Sequence, residues 1–156
     1  MSDVGTFSWT DVARHGAVSS IVRAGVDRVE LDEFQRTMDV AGQPFLDRIF
    51  TEAEIMFCAG RVERLATRFA AKEAVAKVLG TGFRDLNWLE IEVVSSSSGQ
   101  PHIHLHHRAR DHANELAITS IAVSLTHTTK AAEAFVVALC AESRSTQSLR
   151  EETHHG

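Results

Sequence analysis

The sequence predicts an α+β fold, with a mostly antiparallel sheet and helices packed on it. Three observations predict it. Residues 101–106, Pro-His-Ile-His-Leu-His, alternate apolar and polar as a half-buried strand does. Residues 61–79 instead carry Val62, Leu65, Ala66 and Phe69 at helical spacing and stop at Gly80-Thr81-Gly82. The elements then fall in the order strand, helices, two strands, helix, two strands, which favours pairing between neighbours.

The first strand spans residues 20–29, rich in β-branched residues. Residues 31–38 form a short helix, which Gly42-Gln43-Pro44 breaks, and Pro44 starts the next, with Phe45, Leu46 and Ile49 on one face. Thr51 with Glu54 makes a capping box for a helix over 52–59. The main helix, 61–79, follows. Residues 87–94 read as a strand, with Leu89, Ile91 and Val93 on one side and Trp88, Glu90 and Glu92 on the other. A serine run and Gly99 turn the chain into the strand 101–106. A helix over 108–116 precedes apolar strands at 120–125 and 134–139, joined by a Thr-rich turn holding His127. The domain is therefore 20–141, with an N-terminal extension, 1–19, and a polar C-terminal tail, 142–156.

At 156 residues the chain is long enough for a sizeable core. A net charge of −5 argues against nucleic acid as partner. No apolar run reaches the length of a membrane span, and the first residues lack a basic segment followed by an apolar one, so a cytoplasmic location is expected. Cys58 and Cys140, far apart and in no ligand spacing, read as buried thiols in a reducing compartment.

Continuing the apolar stripe of the main helix leads to Glu73 and Lys77, one turn apart on one face. They read either as an exposed helix-supporting pair or as a site, a carboxylate for a hard cation and an ammonium for a phosphate. Asp27, unusual inside a strand, reads as a strand-end turn or a metal ligand. His127 lies where turn N–H groups could bind an anion, or simply bonds locally. His102, His104, His106 and His107 suggest zinc, but strand neighbours two apart lie ~6.5 Å from each other along the chain, so an exposed polar face is the better reading.

Three segments taken together resemble the holo-acyl-carrier-protein synthase family, the small 4'-phosphopantetheinyl transferases. They are GVDRVEL from Gly25, RFAAKEAVAKVLGTG from Arg68 and VSLTHT from Val123, in the family's order and spacing. FLDRIFTEAE from Phe45 and SGQPHI from Ser98 are lesser matches. The resemblance implies that the chain moves the phosphopantetheine arm of coenzyme A onto a serine of an acyl carrier protein, leaving adenosine 3',5'-bisphosphate. It implies Mg²⁺ on Asp27 and Glu73, Lys77 beside the pyrophosphate, and His127 with Thr128 on the phosphate side. Arg61, Arg64 or Arg68 would meet the 3'-phosphate, Gly99 and Pro101 would shape the turn against the nucleotide, and Glu73 is the first choice for the base. A homotrimer with sites between subunits is expected by the same resemblance. The carrier, of fatty acid or of specialised-metabolite synthesis, is left open.

One position departs from the family. Members usually carry a carrier-gripping arginine where this chain has Glu33, and Arg36, on the same helical face, is the substitute at hand. Glu33 supports an alternative, a non-catalytic coenzyme A- or nucleotide-binding module of the same fold.

Overall fold

The computed structural model describes residues 21–83 and 85–141. The expected extension, the strand's expected start at Ser20, and the tail 142–156 lie outside them. Among the described residues, five strands and four α-helices follow in order: β1 (Ile21–Glu30), α1 (Leu31–Ile49), α2 (Glu52–Cys58), α3 (Val62–Leu79), β2 (Ile91–Ser95), β3 (Pro101–Leu105), α4 (His107–Glu115), β4 (Ile118–His127) and β5 (Ala131–Cys140). The fold is α+β, as the element order predicts. Every ladder is antiparallel: β1, β5 and β4 form one sheet with β5 central, and β2 with β3 forms a ribbon.

The expected break between the first two helices is a kink in α1, where Gly42 takes φ 61°. Glycine adopts this value readily, and Pro44 then restarts the helix. The Thr51–Glu54 capping box forms as expected.

Three expectations need correction. Residues 88–90 are a 3-10 turn, not the start of a strand. The Asn87 side chain accepts the Leu89 N–H, the Glu90 carboxylate accepts the Asn87 N–H, and Trp88 stacks between Phe69 and Phe83. Local capping and aromatic packing thus outweigh the alternating pattern, burying Glu90 and leaving Leu89 partly exposed. His127 closes β4, paired with Ala132, instead of sitting in the turn. The turn is only residues 128–130, held by the Thr128 hydroxyl, which accepts the Lys130 and Ala131 N–H groups. Lastly, α3 is not one-sided. Leu65, Ala66, Thr67, Arg68, Ala70, Ala71, Lys72, Ala74, Val75, Ala76, Val78 and Leu79 are all buried.

The reason is layering. α3 lies between the sheet and a second layer built from α1, α2 and β2. Ala70, Ala74, Val75 and Val78 pack with Ala134, Val136 and Ala138 of β5. Leu65 and Ala66 pack with Phe34, Ile49, Phe50 and Cys58. Both cysteines are buried free thiols, as the sequence suggests.

Candidate active site

Asp27 lies on the face of β1 turned toward α3, in register with Ala134. It is held there because β1 and α3 meet at a glycine: a Cβ at Gly25 would stand 2.1 Å from the Ala74 carbonyl oxygen. That close approach lets the Lys77 ammonium donate to Asp27 Oδ1 at 2.8 Å and to the Val26 carbonyl at 2.7 Å. Glu73, one turn earlier on α3, lines the same cleft as Asp27. The cleft encloses about 520 Å³ over a floor of Phe34, Phe45 and Phe69, with Glu30 and Glu33 at its rim. Burial pushes the Glu73 carboxyl above its usual range, nearby Asp27 pushes the same way, and Lys77 opposes both.

Two carboxylates facing one cleft, one of them raised by the other, suit a divalent cation. Mg²⁺ asks for one or two protein carboxylates and takes its remaining oxygens from water and phosphate. Among the described residues no group of three or more His, Cys, Asp or Glu side chains could hold a metal ion, so zinc on the strand histidines has no geometric support. His106 instead bonds Glu92 at 2.9 Å.

The remaining predicted residues gather elsewhere on the chain. His127 and Thr128 line a second pocket with Leu31, Glu63 and Thr129. Arg61, at the N-cap of α3, donates to Glu63 at 2.6 Å. Arg64 bonds the Phe57 carbonyl at 3.2 Å. Arg68 is 3% exposed, stacks over the Phe57 ring at 4.4 Å, and donates to the Arg64 carbonyl and to Ser95 Oγ. Its Nε is buried without a partner, and no carboxylate among the described residues pairs with it. Ser95 lies opposite Pro101 at the mouth of the β2–β3 turn, where Gly99 takes φ 85°. Arg64 and Arg68 therefore come together near the Gly99–Pro101 turn, Arg61 is tied through Glu63 to the His127 pocket, and Asp27, Glu73 and Lys77 come together. His127 does not reach the carboxylate cleft within one chain. Arg61 and Lys77 stand at opposite ends of α3, roughly 24 Å apart at 1.5 Å per residue.

Sequence reasoning missed the aromatic floor and a buried Lys72–Glu54 pair. Glu54 was legible as a cap. Lys72 carried no signal, since lysine is rarely buried without a partner and the partner is 18 positions away.

The model of the 4'-phosphopantetheinyl transferase superfamily matches residues 23–140. This chain belongs to that superfamily. A holo-[acyl-carrier-protein] synthase of Herpetosiphon aurantiacus is 42% identical to it over 122 residues, covering 74% of this chain and 96% of that protein. The crystal structure of the Helicobacter pylori holo-[acyl-carrier-protein] synthase in complex with coenzyme A matches with TM-score 0.68 and 30% identity, over 74% of this chain and 98% of the other. The Neisseria meningitidis holo-[acyl-carrier-protein] synthase matches with TM-score 0.68 and 34% identity, over 74% and 96%. As a phosphopantetheinyl transferase, the chain is an enzyme of the holo-[acyl-carrier-protein] synthase kind, in the family and fold that its motifs indicate.

Proposed function

We propose that this transferase moves the 4'-phosphopantetheine arm of coenzyme A onto a serine hydroxyl of an apo acyl carrier protein. The observation that carries the proposal is the shared cleft of Asp27 and Glu73, with Lys77 bonded to Asp27.

In the reaction the serine Oγ forms a bond to the β-phosphorus of coenzyme A. The bond from that phosphorus to the bridging oxygen breaks, and its electron pair leaves on adenosine 3',5'-bisphosphate. Asp27 and Glu73 would hold Mg²⁺, which when bound offsets the charge growing on the diphosphate. Lys77 has three N–H donors and spends two on Asp27 and Val26, leaving one for a phosphate oxygen. Glu73, which shares the cleft with Asp27, is the group proposed to take the serine proton, directly or through a water.

Arg68, buried with an unpartnered Nε, fits the 3'-phosphate, with Arg64 beside it and Arg61 nearer His127. Gly99 and Pro101 would bound the nucleotide, and His127 with Thr128 would serve the phosphate side. Since one chain keeps these groups apart from the carboxylate cleft, a site completed by a second copy accounts for them. The outer face of the sheet supports such assembly: Val22 pairs with Leu139 and Val26 with Phe135, and all four are exposed. A homotrimer is the assembly we propose. Carrier docking would use α1, where Arg36 is exposed and Glu33 lines the cleft. Among the described residues no helix is long and apolar enough to cross a membrane. We place the reaction in the cytoplasm, where coenzyme A and carrier meet.

Mass spectrometry of an apo carrier incubated with coenzyme A and Mg²⁺ tests the proposal. A phosphopantetheine adduct on the serine is expected, lost when EDTA is added. Coenzyme A binding without any adduct, across fatty-acid and specialised-metabolite carriers, would replace the proposal with a binding module.

A further inference from the structure

One buried charged pair takes no part in the chemistry outlined above. Lys72, fully buried, immediately precedes Glu73 on α3. Its ammonium donates to Glu54 Oε2 at 2.8 Å, to the Ile49 carbonyl at 2.8 Å and to the Trp88 carbonyl at 3.1 Å. All three of its protons are therefore used. The Glu54 carboxylate is equally engaged. Oε2 also accepts the Thr51 N–H and Oε1 accepts the Val93 N–H, both at 2.9 Å.

These partners belong to the end of α1, the start of α2, the 3-10 turn and β2. Lys72 thus ties α3 to the whole layer on its side away from the sheet. Burial pushes the ammonium below its usual value, while Glu54 pulls it back up. Pairs of this kind commonly add no more stability than apolar residues of similar size, so stability alone is a weak reason for it.

Its placement gives a better reason. The carboxylate cleft runs between α1, which supplies Glu33, Phe34, Thr37 and Phe45, and α3, which supplies Phe69 and Glu73. Among the described residues the Lys72–Ile49 bond is the only hydrogen bond joining these two helices. It lies four positions past Phe45 on α1 and one before Glu73 on α3. Three bonds in different directions also fix how far α3 is turned about its axis, and so where Glu73 points.

We infer that Lys72 and Glu54 are positioning residues, which set the width of the cleft and aim Glu73 across it at Asp27. The inference rests on the transferase reading for its kinetic consequence, but not for its geometric one.

The test compares Lys72→Met, Glu54→Gln, which keeps the shape but whose amide can accept only one of the Thr51 and Val93 N–H groups, and the neutral double variant Lys72→Met/Glu54→Gln. Thermal midpoints, kcat, KM for coenzyme A, and Mn²⁺ affinity in the presence of coenzyme A are measured for each. Lys72→Met alone leaves a carboxylate buried without its cation and should be the least stable. The double variant should recover much of the midpoint. Its kcat should stay about tenfold or more below wild type, with KM for coenzyme A within about twofold, and its Mn²⁺ affinity should fall by about tenfold, as for groups that orient a metal ligand. Recovery of both midpoint and kcat would make the pair purely structural and overturn the inference. If the double variant does not fold, Glu54→Gln decides: wild-type kcat and wild-type Mn²⁺ affinity in that variant overturn it. If the wild type itself transfers nothing, the transferase reading fails, and Mn²⁺ affinity, which needs no turnover, still decides the geometric inference.

Discussion

Gly25 and Ala74 touch backbone to backbone, and no side chain fits between them. A Cβ at Gly25 would lie 2.1 Å from the Ala74 carbonyl oxygen and 3.1 Å from Val78 Cγ2. This contact holds β1 against α3 and brings Asp27 within hydrogen-bond reach of Lys77. Gly25→Ala should force the strand outward, costing about 1–3 kcal/mol of stability by overpacking. Transfer should fall further than stability, because the two carboxylates separate. Denaturant titration with an activity assay on the folded fraction checks this. Wild-type turnover in that fraction would break the link between the contact and the site.

Lys77 is tied to Asp27 but half-exposed, so its two roles can be separated. Lys77→Met should change stability by less than ~1 kcal/mol, as expected for an exposed pair. It should lower kcat by about 100-fold or more, as does loss of a group that meets developing charge. Single-turnover kinetics beside a melting curve would show whether the effects divide this way.

For Glu73 the pH dependence has a definite sign. Its folded pKa is raised, by burial first and by Asp27 second. The protonated form is therefore favoured by folding. That stability is complete below the usual carboxylate pKa and is lost as pH rises through the raised one. Without a divalent cation, Glu73→Gln should melt higher than wild type near neutral pH, and the difference should vanish by about pH 4. The same variant should transfer no phosphopantetheine. A variant that melts lower at neutral pH would contradict the electrostatic picture of the cleft.

Arg68 offers a test of where the nucleotide lies. Arg68→Gln removes a buried charge and should raise KM for coenzyme A by roughly 10- to 100-fold, the scale of one charge-assisted hydrogen bond. For 3'-dephospho-coenzyme A the change should be slight. Equal losses for both substrates would remove Arg68 from the 3'-phosphate.

The proposed assembly would use the sheet's outer face. Phe135 is 50% exposed and Leu139 43% exposed, on the strand at the centre of the sheet. Phe135→Glu with Leu139→Glu should leave the chain folded and monomeric by sedimentation, and without transfer activity. Retained activity in a monomer would show that one chain suffices.

Parts of this molecule were plain from the residues and parts were not. The capping box at Thr51 and Glu54, the kink at Gly42 and the end of α3 at Gly80 depend on neighbours within a few positions, and local rules capture them. The strand assigned to residues 88–90 failed because a side-chain cap and a stack on Phe69 outweighed a period-two pattern. The one-sided reading of α3 failed for a similar reason: alanines at 70, 71, 74 and 76 look neutral in sequence, yet let two layers close on the helix.

Read alone, the residues set the order of elements, the α+β class and, through three motifs, the family. They joined Asp27, Glu73 and Lys77 only through the family resemblance, with no contact to hold them together. Tertiary structure decided that they meet, because a glycine lets β1 rest on the α3 backbone. It also decided that His127 stays apart from them in a single chain, and that Lys72 is buried against Glu54. Such contacts link residues 18 to 50 positions apart, and a periodic pattern in sequence reports only which way a side chain faces, not what meets it there.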